Sequence, residues 1–151
     1  WVYLMVQLAW DADGAHVPSQ LLSLLILIWS NDSGAYFIGK PLGKHKLMPT
    51  VSPGKSWEGF VGGAFFSALA AGLLFGWQEI WMGPMMAVCA TAGDLLESAW
   101  KRTNSIKDSG TLMPGHGGVL DRFDGFIIAA PMYALVLYLH PLHYNLNFLF
   151  E

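Results

Sequence analysis

Apolar residues gather in four long blocks, 21–38, 60–77, 83–100 and 126–139, with a shorter one at 1–10. Between them, polar and turn-forming residues cluster at 11–20, 39–59, 78–82 and 101–125, and a mixed tail closes the chain at 140–151. Blocks of about 18 or more residues with few charges have the length of membrane-spanning helices, and the last block is near the lower limit of about 17. Backbone groups in lipid must pair within their own segment, so helices follow once the spans are accepted. The pattern predicts an all-α, polytopic integral membrane protein with about four to five transmembrane helices, forming a single membrane domain over residues 1–151. The loop before Trp57 is rich in Pro and Gly and is expected to be irregular with short helical pieces.

Charge placement adds orientation. All eight Lys and Arg fall in two stretches, Lys40, Lys44, Lys46 and Lys55 in the first and Lys101, Arg102, Lys107 and Arg122 in the second. The connections at 11–20 and 78–84 carry none. Two spans separate the basic stretches, so a helical hairpin returns the chain to the same side, and the positive-inside rule places both loops in the cytoplasm. Charged residues make up 13% of the chain against about 25% in soluble domains. A water-soluble bundle is disfavoured because too little polar sequence remains to coat such a core. A lone Cys89 excludes an internal disulfide and reads as a small core residue. The chain opens on Trp1 inside an apolar stretch and is read as the later part of a longer membrane protein.

Acids at the edges of apolar blocks are the candidate chemistry. The block at 83–100 runs out in "TAGDLLESAWKR", which puts Asp94, Glu97, Ser98, Lys101 and Arg102 on a partly continuous helical stripe. On a soluble helix this would be a solvated face with a Glu97–Lys101 pair; in a span, intramembrane acids mark functional sites. "GHGGVLDRFDG", residues 115–125, adds Asp121 and Asp124, three apart at the start of the next block. Carboxylates from two helices are what Mg²⁺ needs, since it takes oxygen ligands and keeps waters and substrate phosphates in the rest of its shell. Lys101, Arg102, Lys107, Arg122 and His116 surround the pair as phosphate donors. Gly115, Gly117 and Gly118 either let backbone amides approach a ligand or form a tight turn. Asp32, near the end of the second block, invites the same reading as Asp94.

"SPGKSWEG" ends like a phosphate-binding P-loop, but that motif needs Gly five positions before Gly54, and Pro49 stands there. What survives is Lys55 in a turn, with Ser52 and Ser56 as hydroxyl donors. His16, His45, His140 and His143 read as surface residues. An ion or proton transporter would also use intramembrane acids, yet it has no need of eight cations gathered on one face beside Gly-rich turns.

Residues 98–124, "SAWKRTNSIKDSGTLMPGHGGVLDRFD", closely resemble the signature of phosphatidate cytidylyltransferases, also called CDP-diacylglycerol synthases. The upstream "DSGAYFIGKPLGKHKLMPTVSPGKSWEGFVGG" is similar to the bacterial branch, so the resemblance covers a catalytic core of about 30–125. Trp100 and Met113 depart from the usual aliphatic residue or Phe, and family members carry additional amino-terminal spans. The resemblance implies Mg²⁺-dependent transfer of cytidylyl from CTP to phosphatidate, giving CDP-diacylglycerol and pyrophosphate. It implies a site on the cytoplasmic side of a bacterial inner membrane, with CTP, phosphatidate and the lipid bilayer as partners, no nucleic acid, and room for a homodimer. Carried onto this sequence, Asp94 and Asp121 are the metal ligands, with Asp124 and Asp32 as further candidates. Lys55, Arg102, Lys107 and Arg122 contact phosphate, and His116 orients a phosphate or its water. Ser52, Ser98, Lys101, Gly117 and Gly118 complete the substrate-binding set. Rivals within CTP-using lipid enzymes are a cytidylyltransferase for another lipid phosphate and a polyprenol kinase.

Overall fold

A computed structural model describes residues 6, 8–10, 17–104, 106 and 123–140. Four helices account for most of them: α1 over Pro18–Leu42, α2 over Trp57–Phe75, α3 over Met82–Thr103 and α4 over Phe126–Leu139. Each coincides with one of the four long apolar blocks: α1 and α3 run past theirs at both ends, α2 starts three residues earlier and stops two short, and α4 has the same bounds. Among the described residues of the short block at 1–10, Leu8 joins the core, at 5% exposure.

Two of the helices, α1 with 25 residues and α2 with 19, are long and apolar enough to cross a membrane. The 14 residues of α4 reach about 21 Å at 1.5 Å per residue, short of the roughly 30 Å hydrocarbon thickness. Pro131 inside α4 also removes a helical hydrogen bond. Large apolar side chains stand exposed along the outer faces, among them Trp29, Phe37, Val61, Phe65, Leu73 and Leu135. Such surface is stable against lipid or further protein and costly against water.

Inside, small residues let the backbones approach. On α1 and α2, Gly34 lies so close to Gly62 that a Cβ would meet the Gly62 carbonyl at 2.8 Å, and a Cβ on Gly63 would meet Asn31 Oδ1 at 2.5 Å. Small residues spaced by four, here Gly59 and Gly63, are a common way of closing helix pairs in lipid. The core between the four helices is filled by Leu24, Leu27, Met82, Met86 and Tyr133. Two hydroxyls buried there are paired: Ser23 Oγ and Tyr133 Oη stand 2.6 Å apart between α1 and α4, and Ser67 Oγ donates to the Leu27 carbonyl at 3.2 Å.

The expectation of irregular structure with short helical pieces before Trp57 is corrected. Lys46–Met48 (β1) and Ser52–Ser56 (β2) form an antiparallel hairpin with an irregular register. Turn-forming residues are compatible with it because two short strands need only a tight connection, closed by Val51 N–H donating to the Met48 carbonyl at 3.2 Å. Ser56 ends β2 and caps α2, its Oγ accepting from Gly59 N–H at 3.1 Å. Glu58 accepts from His45 Nδ1 at 2.6 Å, and Trp57 N–H donates to the His45 carbonyl at 2.9 Å. The hairpin is thereby pinned to the start of α2, which fixes Lys55 one residue before the cap.

Candidate active site

A cleft opens where α1, the hairpin and α3 meet. Its larger chamber, about 580 Å³, is lined from α1 by Asp32, Tyr36 and Lys40, from the hairpin by Gly54, Lys55 and Ser56, and from α3 by Thr91 and Asp94. A smaller chamber of about 270 Å³ shares Asn31, Asp32, Lys55, Thr91 and Asp94 and is closed by Asp124, Gly125 and Phe126. Helical spacing explains the α1 wall: residues four apart fall on one face, so Asp32, Tyr36 and Lys40 stack in a single stripe.

Lys55 and Asp94 form an ion pair between β2 and α3, through Asp94 Oδ2. The other oxygen, Oδ1, accepts from Ser98 Oγ at 3.2 Å, so both carboxylate oxygens are held. Their side chains are 25% and 30% exposed, enough for a solute to reach them. Gly93 brings Asp124 beside this pair, because a Cβ at 93 would come within 2.6 Å of the Asp124 carbonyl oxygen. Asp124 Oδ1 accepts from Gly125 N–H at 2.6 Å. Burial first, and then the like charge of Asp94, push its carboxyl up to about 7. Across the cleft Asn31 Nδ2 donates to Asp32 Oδ1 at 3.2 Å.

Partly desolvated carboxylates beside one cavity are a donor set suited to a hard divalent cation, which takes oxygen ligands. Among the described residues no three acidic, His or Cys side chains already converge as a metal-holding group. Of the expected metal ligands, Asp32, Asp94 and Asp124 line the smaller chamber. Asp121, Lys107, His116, Arg122, Gly117 and Gly118 lie outside the described residues.

The remaining expected residues have other placements. Lys101 Nζ pairs with Glu97 Oε2 at 2.7 Å, with the Glu97 side chain only 1% exposed, so the pair that a soluble helix would carry on a solvated face is formed here in the interior. Arg102 Nε reaches the Val51 carbonyl at 3.5 Å and braces the hairpin turn against α3. Ser98 acts through Asp94, and Ser52 is half-buried in β2 outside the cleft lining. Asn31, Tyr36, Lys40 and Thr91 were not singled out from the sequence. The four-residue spacing from Asp32 was a usable signal for Tyr36 and Lys40; Thr91 needed the crossing of α3 over α1.

Comparison with known proteins gives a consistent picture. The model of the cytidylyltransferase family matches residues 2–140. Proteins named phosphatidate cytidylyltransferase are similar to this chain: one from Staphylococcus aureus (strain COL) is 40% identical over 134 residues, 83% of this chain and 50% of the relative. One from Bacillus subtilis (strain 168) is 44% identical over 123 residues, 74% of this chain and 45% of the relative. One from Haemophilus influenzae (strain ATCC 51907 / DSM 11121 / KW20 / Rd) is 46% identical over 135 residues, 81% of this chain and 46% of the relative. The chain spans about half the length of the curated relatives it matches.

Proposed function

Because this chain belongs to the cytidylyltransferase family, we propose that its cleft transfers cytidylyl from CTP to phosphatidate, yielding CDP-diacylglycerol and pyrophosphate. The observation that carries this reading is that Asp32, Asp94, Asp124 and Lys55 line one cleft, the first two from within α1 and α3 and the others from the segments that lead into α4 and α2. Similar proteins are named for this activity.

The chemistry asks for what such a cleft offers. An oxygen of the lipid phosphate attacks the α-phosphorus of CTP, the bond to the bridging oxygen of the β-phosphate breaks, and pyrophosphate leaves. The nucleophile is already anionic, so little general-base help is needed; the barrier is repulsion between two anions and charge building on the leaving group. Asp94 and Asp121, with Asp124 and Asp32 as further candidates, would hold Mg²⁺, which would neutralise that charge. Lys55 carries a cation to the same end of the cleft and can exchange Asp94 for a phosphate oxygen. Ser98 keeps Asp94 oriented. Gly93 keeps the two acidic segments together.

In this reading α3 and α4 join α1 and α2 as spans, giving four to five with the first apolar block. The basic stretches face the cytoplasm of a bacterial inner membrane, where CTP arrives from water and phosphatidate from the bilayer. The test is formation of labelled CDP-diacylglycerol from labelled CTP and phosphatidate, with and without Mg²⁺. A lipid monophosphate with release of CDP would instead make the chain a lipid kinase, and no metal-dependent lipid product would sink both.

A further inference from the structure

The cleft holds two lysines, and the reaction proposed for it brings together two phosphate-bearing substrates. Lys55 is engaged with Asp94 at the carboxylate end. Lys40 lines the larger chamber from α1. Asp32 is eight residues earlier on the same stripe, which places the two about 12 Å apart along the helix axis.

Lys40 is held without being neutralised. Its Nζ donates to Tyr36 Oη at 2.8 Å and lies 5.1 Å from the centre of the Tyr36 ring. Among the described residues its ammonium has no carboxylate within ion-pair distance. A phenol oxygen orients a cation and leaves its charge in place, and an ammonium has three donors, of which Tyr36 takes one. The last turn of α1, where Lys40 sits, also favours a cation through the helix dipole. Lys44 and Lys46, by contrast, do not line the cleft.

We propose that Lys40, oriented by Tyr36, is a second phosphate contact of the cleft, serving a phosphate group remote from the carboxylate end. The proposal rests on the cytidylyl-transfer reading for its two anionic substrates. The same ammonium suits the phosphomonoester of the lipid or the outer phosphates of the nucleotide, and the experiment separates them.

The full chain is placed in phosphatidylcholine nanodiscs, and binding of CTP and of dioctanoyl phosphatidate is measured separately for wild type, Lys40→Gln, Lys40→Arg and Tyr36→Phe. Lys40→Gln is expected to weaken one of the two by about tenfold, the order of a charge-assisted hydrogen bond. Lys40→Arg should restore affinity to within about threefold, since the charge and donors persist, and Tyr36→Phe should fall between. Loss confined to dioctanoyl phosphatidate assigns the lipid phosphate; loss confined to CTP assigns the triphosphate. Unchanged affinity for both overturns the proposal, and so does a loss for both that Lys40→Arg fails to rescue. Turnover is scored apart: a wild type that binds both compounds without forming CDP-diacylglycerol defeats the function and leaves the Lys40 result standing. A wild type that binds neither defeats both.

Discussion

Gly93 lies directly against the main-chain carbonyl of Asp124, at a separation that a single added Cβ would reduce to 2.6 Å. The contact joins α3 to the start of α4 one residue from Asp94. It sets the spacing of the two carboxylates through the main chain.

Gly93→Ala is therefore expected to push the acidic segments apart. Displacements of about 1 Å at a reacting centre can cost on the order of a hundredfold in rate, so turnover should fall by roughly tenfold to a hundredfold. Membrane insertion and helix content should stay near wild type. Circular dichroism alongside the CDP-diacylglycerol assay checks this; unchanged turnover would remove the close contact from the site's requirements.

Asp94→Asn keeps the shape of the side chain and removes its charge. Mg²⁺-dependent turnover should be lost, while the protein still inserts. Mn²⁺ binding, followed by electron paramagnetic resonance, should weaken in parallel in Asp94→Asn and in Asp124→Asn. Near-normal activity and Mn²⁺ affinity in Asp94→Asn would end the metal assignment.

Ser23 and Tyr133 are both fully buried and share a 2.6 Å hydrogen bond. Ser23 Oγ also has the Ser19 and Gln20 carbonyls within 2.7 and 2.9 Å, so Tyr133→Phe leaves it partnered. The expected cost is about 1 kcal/mol. Unfolding in mixed micelles measures it, and the Ser23→Ala, Tyr133→Phe double variant should lose less than the sum of the singles.

Glu79 closes the turn between α2 and α3 onto the end of α4. Its Oε1 stands 2.9 Å from His140 Nε2 and its Oε2 accepts from Trp81 Nε1 at 2.9 Å. The hydrogen bond with His140 comes first in holding its carboxyl below the ordinary value of 4.5. Between that value and the lower folded one, the unfolded chain binds more protons, so stability falls as pH falls. The contribution is complete above 4.5 and disappears as the folded carboxyl titrates. Thermal midpoints in detergent at pH 6 and pH 3.5 should therefore differ less in Glu79→Gln than in wild type, and equal differences would show that this contact carries none of the acid sensitivity.

The sequence by itself determined the four helices, because long apolar blocks bounded by turn residues have few other solutions when backbone groups must pair internally. It also singled out the candidate acids Asp32, Asp94, Asp121 and Asp124, since charge beside apolar blocks is conspicuous, and three of them, Asp32, Asp94 and Asp124, line one chamber. Helical spacing already foretold the Glu97–Lys101 pair, although not its burial. What only the tertiary structure decided is which of these meet. Lys55 is 39 positions from Asp94 in the chain, and their ion pair depends on a hairpin whose Pro and Gly residues gave no strand pattern to read. Arg102 turns to the hairpin because Val51 happens to lie beside α3. Gly93 and the glycines of α1 and α2 set distances between helices, a property of surfaces in contact that no single segment carries. The chemistry of each residue is local, but a site is a set of separations, and those arise only when the helices pack.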